Sequence, residues 1–188
     1  SIVGPGDIKY KDQNGDQIIN EYDEVPINYS TKNPEWYFAG SLGAEFKGLG
    51  FDALFQGVAN MTVYLNTPSI FWPLRGNNNV STYSENSWTP ATASTAALPR
   101  LSTGENANNF RPNTIWYSDA SYLKLRSLEV YYKLPKQVVN KAKLDEVTLY
   151  LRGMKLLSFD NIEVVDPEAI GLTYPTLTTY NIGIKIGF

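Results

Sequence analysis

The sequence predicts an all-β fold of about five antiparallel strands, and three observations lead to this prediction. Apolar and polar residues alternate strictly in several segments, which is the period of a strand with one apolar face. Long and short connections follow one another in a regular order between these segments. Aromatic residues make up 13% of the chain, with 13 Tyr and 4 Trp, which suggests a special use for them.

The first two strands are predicted to form a hairpin. Alternation runs over residues 36–46 and again over 51–61, with an apolar residue or glycine at every second position. Gly48, Leu49 and Gly50 lie between the two segments and predict a tight turn. Each segment has the length that a tilted strand needs to cross a bilayer, about 9–11 residues.

Three more strands are predicted further along the chain, near 121–134, 147–152 and 180–188. In the first of them the apolar positions change phase between Leu123/Leu125 and Val130/Tyr132, which indicates a β-bulge. The last strand alternates without a break and ends on an aromatic residue.

The connections distinguish a barrel from a sandwich. They are long (1–34), short (47–50), long (66–118), short (135–144) and long (160–178). This order is typical of a transmembrane β-barrel, which has short turns on the periplasmic side and long extracellular loops. A β-sandwich also alternates but follows no such order. About five strands cannot close a barrel, so we expect the chain to form part of a large one.

The same rule orients the chain, because it places Phe188 on the periplasmic side. Aromatic residues near strand ends are then expected to form girdles at the two membrane interfaces. The expected girdle residues are Phe46, Phe51, Tyr131, Tyr132 and Phe188 at the periplasmic rim and Trp36, Tyr64, Tyr122 and Tyr180 at the outer rim.

Composition excludes several functions. The chain lacks Cys and His, which removes Cys/His zinc sites, catalytic Cys–His pairs and the Ser-His-Asp triad. A net charge of -3 without a run of Lys or Arg disfavours nucleic acid as a partner. The pairs Glu163/Asp166 and Asp166/Glu168 suggest the two carboxylates of a glycosidase. Closeness in sequence does not establish their geometry, so we predict that the chain is not an enzyme.

The sharpest local motif is an acidic loop at residues 12–23. With Asp12 as position 1, oxygen ligands fall at the positions that an EF-hand or dockerin-type calcium loop uses. Position 6, normally glycine, is Gln17, and the glycine is Gly15 instead. The alternative is an Asn-Gly-Asp turn in a hydrated loop. The predicted Ca²⁺ ligands are Asp12, Asn14, Asp16, the carbonyl of Ile18, Asn20 and Asp23.

Tryptophans mark the longest connection. Trp72, Trp88 and Trp116 lie in or beside it and could stack on a sugar or on a partner protein. We favour the alternative that they pack this connection against itself, and assign no ligand-binding residue. Lys185 alternates with isoleucines and is predicted to face the lumen.

Several ordered segments together resemble one family, the SusC/RagA-type TonB-dependent transporters of Bacteroidetes, across nearly the whole chain. The segments are PGDIKYKDQNGDQIIN (5–20), NPEWYFAGSLGAEFKG (33–48), FQGVA (55–59), WTP (88–90), LPRLSTG (98–104), SYLKLRSLEVYYKLP (121–135) and YPTLTTYNIGIKIGF (174–188).

The resemblance implies the C-terminal part of a plugged outer-membrane barrel of about 22 strands. It implies residues 1–34 as an extracellular loop and 35–188 as barrel strands with the loops 66–118 and 160–178. It further implies import of a glycan or peptide, energised by TonB through an N-terminal part, with a SusD-like lipoprotein as lid. The other partners would be the remaining barrel, the plug and outer-membrane lipid.

Two other functions fit the residues. A soluble β-sandwich with a calcium loop could bind carbohydrate or protein at the cell surface, and it would bury the apolar face that a barrel exposes to lipid. A structural barrel piece in a secretion or attachment assembly would share the fold without a lid partner or an uptake role.

Overall fold

The computed structural model describes residues 3–26, 29–76, 78–104, 106–162, 166–168, 174 and 176–188. Within them, the main feature is a five-stranded antiparallel sheet in the order β1-β2-β5-β6-β7, and β3 and β4 form a separate pair. The strands are β1 (Trp36–Phe46), β2 (Leu49–Ala59), β3 (Thr62–Tyr64), β4 (Tyr117–Asp119), β5 (Tyr122–Lys133), β6 (Glu146–Asp160) and β7 (Thr179–Gly187).

Helices are short. α1 (Pro68–Phe71) and α2 (Lys136–Val139) are single turns, and 3₁₀ turns occur at Glu21–Asp23, Thr82–Asn86 and Asn140–Ala142. Among the described residues, no helix is long and apolar enough to cross a membrane. The sheet therefore determines the architecture, and the predicted all-β class with antiparallel strands is confirmed.

The β1–β2 hairpin turns at Lys47 and Gly48, one residue earlier than the sequence predicts. Both residues have positive φ, 51° and 84°, as in the two-residue turns whose twist matches that of the strands. Glycine is required at the second position, because a Cβ there would lie 2.7 Å from the carbonyl oxygen of Lys133. The turn consequently fixes the register of β1 on β2 and packs against the end of β5.

One face of the sheet is apolar across all five strands. A typical cross-strand row joins Phe46, Leu49, Tyr132, Leu149 and Ile184. These side chains are not covered by other parts of the described chain; Ile182 on β7 is 87% exposed. Such a surface is suited to lipid, which a barrel strand meets on its outer side.

The opposite face is polar and bears ion pairs. Glu129 accepts hydrogen bonds from Arg152 Nε at 2.7 Å and from Lys185 Nζ at 3.4 Å. Glu45 and Lys133 form a further pair at 2.6 Å. Charged residues between strands of a barrel belong on the lumen side. Lys185 therefore lies on the face that was predicted for it.

The register places six of the predicted girdle aromatics on one face or the other of the sheet, whereas Tyr64 lies in the separate β3–β4 pair. Trp36, Phe46, Tyr132 and Tyr180 lie on the apolar face, as expected for a girdle. The girdle assignment was wrong for Tyr122 and Tyr131, because they alternate onto the polar face with Lys124 and Glu129.

A β-bulge divides β5, as the change of phase predicts. The register on β2 shifts by one residue, so Arg126 is an extra residue between Leu125 and Ser127. β6 is also irregular opposite the bulge, where Lys155 has a φ of 55°. This irregularity interrupts the alternation, so the sequence pattern ends at residue 152 although β6 continues to Asp160.

The long connection between β2 and β5 has a hydrophobic core of its own. Phe71 of α1 packs edge-on against Trp116, with ring centroids 4.9 Å apart, and in a tilted arrangement against Phe110 at 5.1 Å. Val63 and Trp116 are 1% and 3% exposed. The buried core residues are Val63, Leu65, Ile70, Phe71, Leu98, Trp116, Ala120 and Ile162.

Residues 4–10 are attached to this packed connection through Asp7. Its carboxylate accepts hydrogen bonds from Arg100 Nε at 2.7 Å, Asn109 Nδ2 at 2.8 Å and Asn106 Nδ2 at 3.0 Å. Burial of Asp7 alone would raise its pKa, but the hydrogen bonds from Arg100, Gly4 and the two asparagines outweigh it and lower the pKa to about 2. An ionised carboxylate thus joins two segments far apart in sequence.

Candidate functional site on the polar face of the sheet

A cluster of charged residues occupies the polar face of β5 near its start. Glu168, in the connection between β6 and β7, accepts hydrogen bonds from Tyr122 Oη at 2.8 Å and Lys124 Nζ at 3.1 Å. Arg126 binds the same carboxylate in a fork, with Nη1 2.6 Å from Oε2 and Nη2 donating to Oε1. Bidentate pairing of this kind is among the stronger ionic contacts in proteins.

Asp166 completes the cluster from the same connection. Its Oδ1 lies 2.5 Å from Lys124 Nζ, and its Oδ2 accepts a hydrogen bond from Thr176 Oγ1 at 2.7 Å. The side chain of Lys124 is only 6% exposed, so its charge requires the two carboxylates. The connection is therefore attached to the sheet by ion pairs. Glu163 lies outside the described residues.

Both loop carboxyls are ionised at neutral pH. Burial raises the pKa of Asp166, but hydrogen bonds from Lys124, Thr176 and the Glu168 backbone outweigh it and lower the pKa to about 2. Burial also raises the pKa of Glu168, and hydrogen bonds from Arg126, Tyr122 and Lys124 lower it to about 2. Both carboxyls serve as counter-charges, which does not suit the glycosidase alternative.

The bulge explains why two cations lie so close together on one face. Lys124 pairs with Gln56 of β2, and Ser127 pairs with Leu54, so both belong to the polar face. Arg126, inserted between them, also reaches this face, because its Nε donates to Gln56 Oε1 at 2.8 Å. The extra residue adds a cation without moving the apolar neighbours from the opposite face.

The sequence contained a signal for this cluster that alternation alone does not use. Lys124 and Arg126 place two positive charges at neighbouring polar positions of one predicted barrel strand, where counter-charges on the same face are expected. Their partners had to be acidic residues that reach the same face. From the sequence, Asp166 is predicted only as a partner of Glu163 or Glu168 and Tyr122 only as a girdle residue. Lys124 and Arg126 have no predicted role.

The acidic loop brings its predicted ligand residues into one compact turn. Asp12 accepts hydrogen bonds from the backbone N–H groups of Gly15 at 2.6 Å and Gln17 at 2.7 Å. Asp23 accepts from the backbone of Gln13 at 2.7 Å and of Asn20 at 2.9 Å, which closes the loop on its own start. The pKa of Asp23 is lowered, chiefly by these bonds from Asn20 and Gln13.

Asn14 and Asp16 point back into the same turn. Asn14 Oδ1 accepts from the N–H of Asp16 at 2.9 Å, and Asp16 Oδ1 accepts from the N–H of Ile18 at 2.8 Å. Asn20 caps the 3₁₀ turn by accepting from Tyr22 N–H at 2.8 Å. In the described part of the chain, no group of three or more Asp, Glu, His or Cys residues is arranged to hold a metal ion by itself. Carbonyl and amide oxygens would have to complete a calcium site here.

Gln17 takes the backbone conformation that position 6 of a calcium loop normally assigns to glycine. Its φ is 67°, and Gly15 has a φ of 80°. Glutamine in place of glycine at position 6 therefore changes the side chain but keeps the left-handed backbone. A side chain in this conformation costs about 1–2 kcal/mol.

The tryptophans pack inside the folded connection. Trp116 lies in the core and donates from Nε1 to the carbonyl of Asn109 at 2.7 Å. Trp72 stacks edge-on with Phe110 at 5.5 Å, and the Arg75 guanidinium lies 4.6 Å from its ring centroid. Trp88 is half-buried, and a Cβ on Gly6 would collide with its ring. These contacts are those of the alternative that we favoured, packing of the connection against itself.

Comparisons with known proteins give two curated relatives, both from Formosa agariphila. TonB-dependent receptor P26 is 26% identical over 198 residues, which cover 97% of this chain and 20% of that protein. TonB-dependent receptor P3 is 26% identical over 178 residues, covering 86% of this chain and 15% of that protein. The chain thus spans about a fifth or less of these relatives. No family model matches it.

Solved structures give the same result. The RagAB peptide importer in its closed-closed state superposes with a TM-score of 0.70 at 26% identity, over 91% of this chain and 19% of that chain. The open-open state gives a TM-score of 0.67 at the same identity and the same coverage of both chains.

Fold and comparisons together indicate the class of protein: the described strands resemble part of the wall of a TonB-dependent transporter barrel. The predicted resemblance to the C-terminal part of SusC/RagA-type TonB-dependent transporters of Bacteroidetes is confirmed by the curated relatives and by the RagAB structures. The proteins that it resembles are TonB-dependent receptors and a peptide importer, which agrees with the prediction that the chain is not an enzyme.

Proposed function

We propose that this chain supplies barrel strands and outer loops to a TonB-dependent outer-membrane importer, which takes up glycans or peptides together with a SusD-like surface lipoprotein. The observation that supports this most is the uninterrupted apolar face of the sheet, joined to the similarity with TonB-dependent receptors. A soluble sandwich would have to cover residues such as Ile182, which is 87% exposed.

The orientation belongs to the same proposal. Phe188 lies on the periplasmic side, and the packed connection and the acidic loop lie outside the cell, because the short turns of outer-membrane barrels face the periplasm. The rest of the barrel, the plug and the segment that contacts TonB belong to other parts of the polypeptide. The peptide alternative for the cargo draws support from the similarity to RagAB, a peptide importer.

The first test is the denatured mass of the polypeptide that carries this sequence, purified in detergent from the native outer membrane. We expect a mass several times 21.0 kDa, with a lipoprotein bound. A species of 21.0 kDa that stays soluble without detergent would contradict the proposal and favour the soluble binding module. A large barrel without any lipoprotein, in cells with unchanged uptake, would favour the structural barrel piece.

A second part of the proposal is that residues 12–23 bind Ca²⁺. The ligands are Asp12, Asn14, Asp16, the Ile18 carbonyl, Asn20 and Asp23, and the support is their EF-hand spacing together with the left-handed backbone of Gln17 at position 6. Some side-chain oxygens of these ligands now accept hydrogen bonds from backbone N–H groups, and they would bind calcium in place of those groups.

Terbium luminescence tests the calcium proposal in the full polypeptide. Tyr22 adjoins the loop and is 74% exposed, so it can transfer excitation to Tb³⁺ bound there. We expect a signal that Ca²⁺ displaces and that Asp12→Ala removes, while the control Glu24→Ala, beside the ligand set, keeps it. An Asp12→Ala protein that binds and melts like the wild type, with and without calcium, would contradict the proposal.

A further inference from the structure

The cluster on β5 has the arrangement of a receptor for a carboxylate. Three side chains of one strand direct their donors at a single carboxylate: Tyr122 Oη, Lys124 Nζ and both Nη atoms of Arg126. The carboxylate itself belongs to Glu168, which comes from a different part of the chain. The donors are therefore part of the barrel wall, whereas their occupant is a loop residue.

Two of the three donors, Lys124 and Arg126, also contact residues other than Glu168. Gln56 Oε1 accepts from Arg126 Nε at 2.8 Å and leaves the two Nη atoms for the carboxylate. Asp166 holds Lys124 at 2.5 Å, and the Lys124 side chain is 6% exposed. Donors fixed in advance bind an anion with less loss of conformational freedom. Arg126, whose second partner Gln56 belongs to β2, would keep its position if Glu168 moved away.

Space for a larger occupant exists beside the cluster. A cleft of about 360 Å³ adjoins it, lined among others by Lys155, Ser158, Asp160 and Thr176 together with Lys124 and Glu168. Most of these side chains can form hydrogen bonds. A small molecule whose carboxylate replaced that of Glu168 could extend into this cleft.

We propose that Tyr122, Lys124 and Arg126 form a carboxylate-binding subsite on the wall of the lumen, which Glu168 fills until a carboxylate of the cargo displaces it. This inference rests on the proposed function only in taking the polar face as a wall of the cargo pathway.

Replacement of one carboxylate by another allows the contact between Glu168 and the β5 donors to open. Removal of Glu168 alone leaves Arg126 without its bidentate partner, and an uncompensated charge in a half-buried place is unfavourable. An incoming carboxylate restores every hydrogen bond that Glu168 gives up. Cargo with a carboxylate therefore opens this contact more easily than neutral cargo does.

Acetate is the probe for the test, observed by saturation transfer from the full polypeptide in detergent to the acetate methyl group. Glu168→Gln removes the intramolecular competitor, so we expect it to bind acetate at least about tenfold more tightly than the wild type. Glu168→Gln/Arg126→Gln is expected to lose this gain. The matched control, Glu35→Gln, replaces an exposed carboxyl that contacts Asn60 and is expected to bind acetate like the wild type.

Equal acetate binding by the wild type, Glu168→Gln and the double variant would overturn the inference and leave Glu168 as a structural clip. Unchanged heat-dependent mobility in gels shows that each variant keeps its barrel. Because binding is measured without uptake, failure of transport would count against the proposed function and leave this result intact.

Two kinds of cargo present a carboxylate, and competition distinguishes them. N-acetylalanine represents the C-terminus of a peptide, and glucuronate represents an acidic glycan. The compound that displaces acetate from Glu168→Gln at the lower concentration identifies the source of the carboxylate. Displacement by neither compound, even at concentrations far above that of acetate, would contradict a role in binding cargo.

Discussion

The five-stranded sheet and the packed connection between β2 and β5 use the same apolar residue types in opposite ways. On the sheet, Leu42 and Ile182 are 62% and 87% exposed, whereas Val63 and Trp116 in the connection are 1% and 3% exposed. The connection has enough apolar residues to cover its own core. The sheet leaves its apolar face bare, which is stable only where lipid replaces water.

The largest expected effect falls on the core of the packed connection. Trp116→Ala removes a buried ring that packs against Phe71 and donates to the Asn109 carbonyl, so we expect a loss of about 3–5 kcal/mol. Hydrogen exchange of residues 61–120 in the full polypeptide measures it. Ile182→Ala is the control on the sheet, with far less lost because its side chain contacts so little of the protein. Equal losses would refute the contrast between the two regions.

The next effect tests which face of the sheet meets lipid. Leu151 lies near the middle of β6 on the apolar face. Leu151→Lys places a charge in the bilayer, which we expect to destabilise the folded barrel by about 2–4 kcal/mol. Folding of the full polypeptide into lipid vesicles, followed by its shift in gel mobility, reports the loss. Ser41→Lys adds the same charge to the polar face of β1 and is expected to fold normally. A reversed result would assign lipid to the polar face.

The strands could be predicted because each residue of the sheet meets one of two surroundings, lipid or the polar interior. In residues 36–46 and 180–188, apolar and polar residues alternate with a period of two because alternate side chains meet these two surroundings. The bulge at Arg126 could also be predicted, because it reverses the phase of the apolar positions along β5. The end of β6 could not be predicted, because the irregularity at Lys155 removes the pattern where the strand continues.

The packed connection could not be predicted in the same way. Its core joins residues as distant as Val63 and Ile162, and its strands have only three residues each, too few for a period. The charged cluster depends likewise on a contact between Arg126 and Glu168, 42 positions apart. Sequence identifies unpaired charges in a membrane strand, but only the fold identifies their partners.

A third, moderate effect is expected where the N-terminal segment meets the packed connection. Asp7→Asn keeps the shape of the side chain but removes the charge that Arg100 and two asparagines bind, which we expect to cost about 2 kcal/mol. Faster proteolysis near residues 4–10 would show the loss of attachment. Asp145→Asn is the control, and its cleavage should match that of the wild type.

The same carboxylate predicts a dependence on pH. Its pKa in the folded protein is about 2, below the ordinary value of 3.8, so its contribution is complete above about pH 4. The contribution is lost as the pH falls through 2. Protection of residues 4–10 should therefore stay constant from pH 8 to about pH 4 in the wild type. Loss of protection already at pH 6 would contradict the low pKa of Asp7.

The smallest effect is expected on the polar face near the end of the sheet. Lys185 is more than half exposed and lies 3.4 Å from a Glu129 that Arg152 already binds. Lys185→Gln is therefore expected to change the stability by less than about 0.5 kcal/mol, because a second, solvent-screened cation adds little. Denaturant unfolding of the full barrel measures it, with Arg152→Gln as the more damaging comparison. A large loss of stability from Lys185→Gln would contradict this expectation. It would mean that further barrel strands or the plug cover Glu129 and exclude water from it.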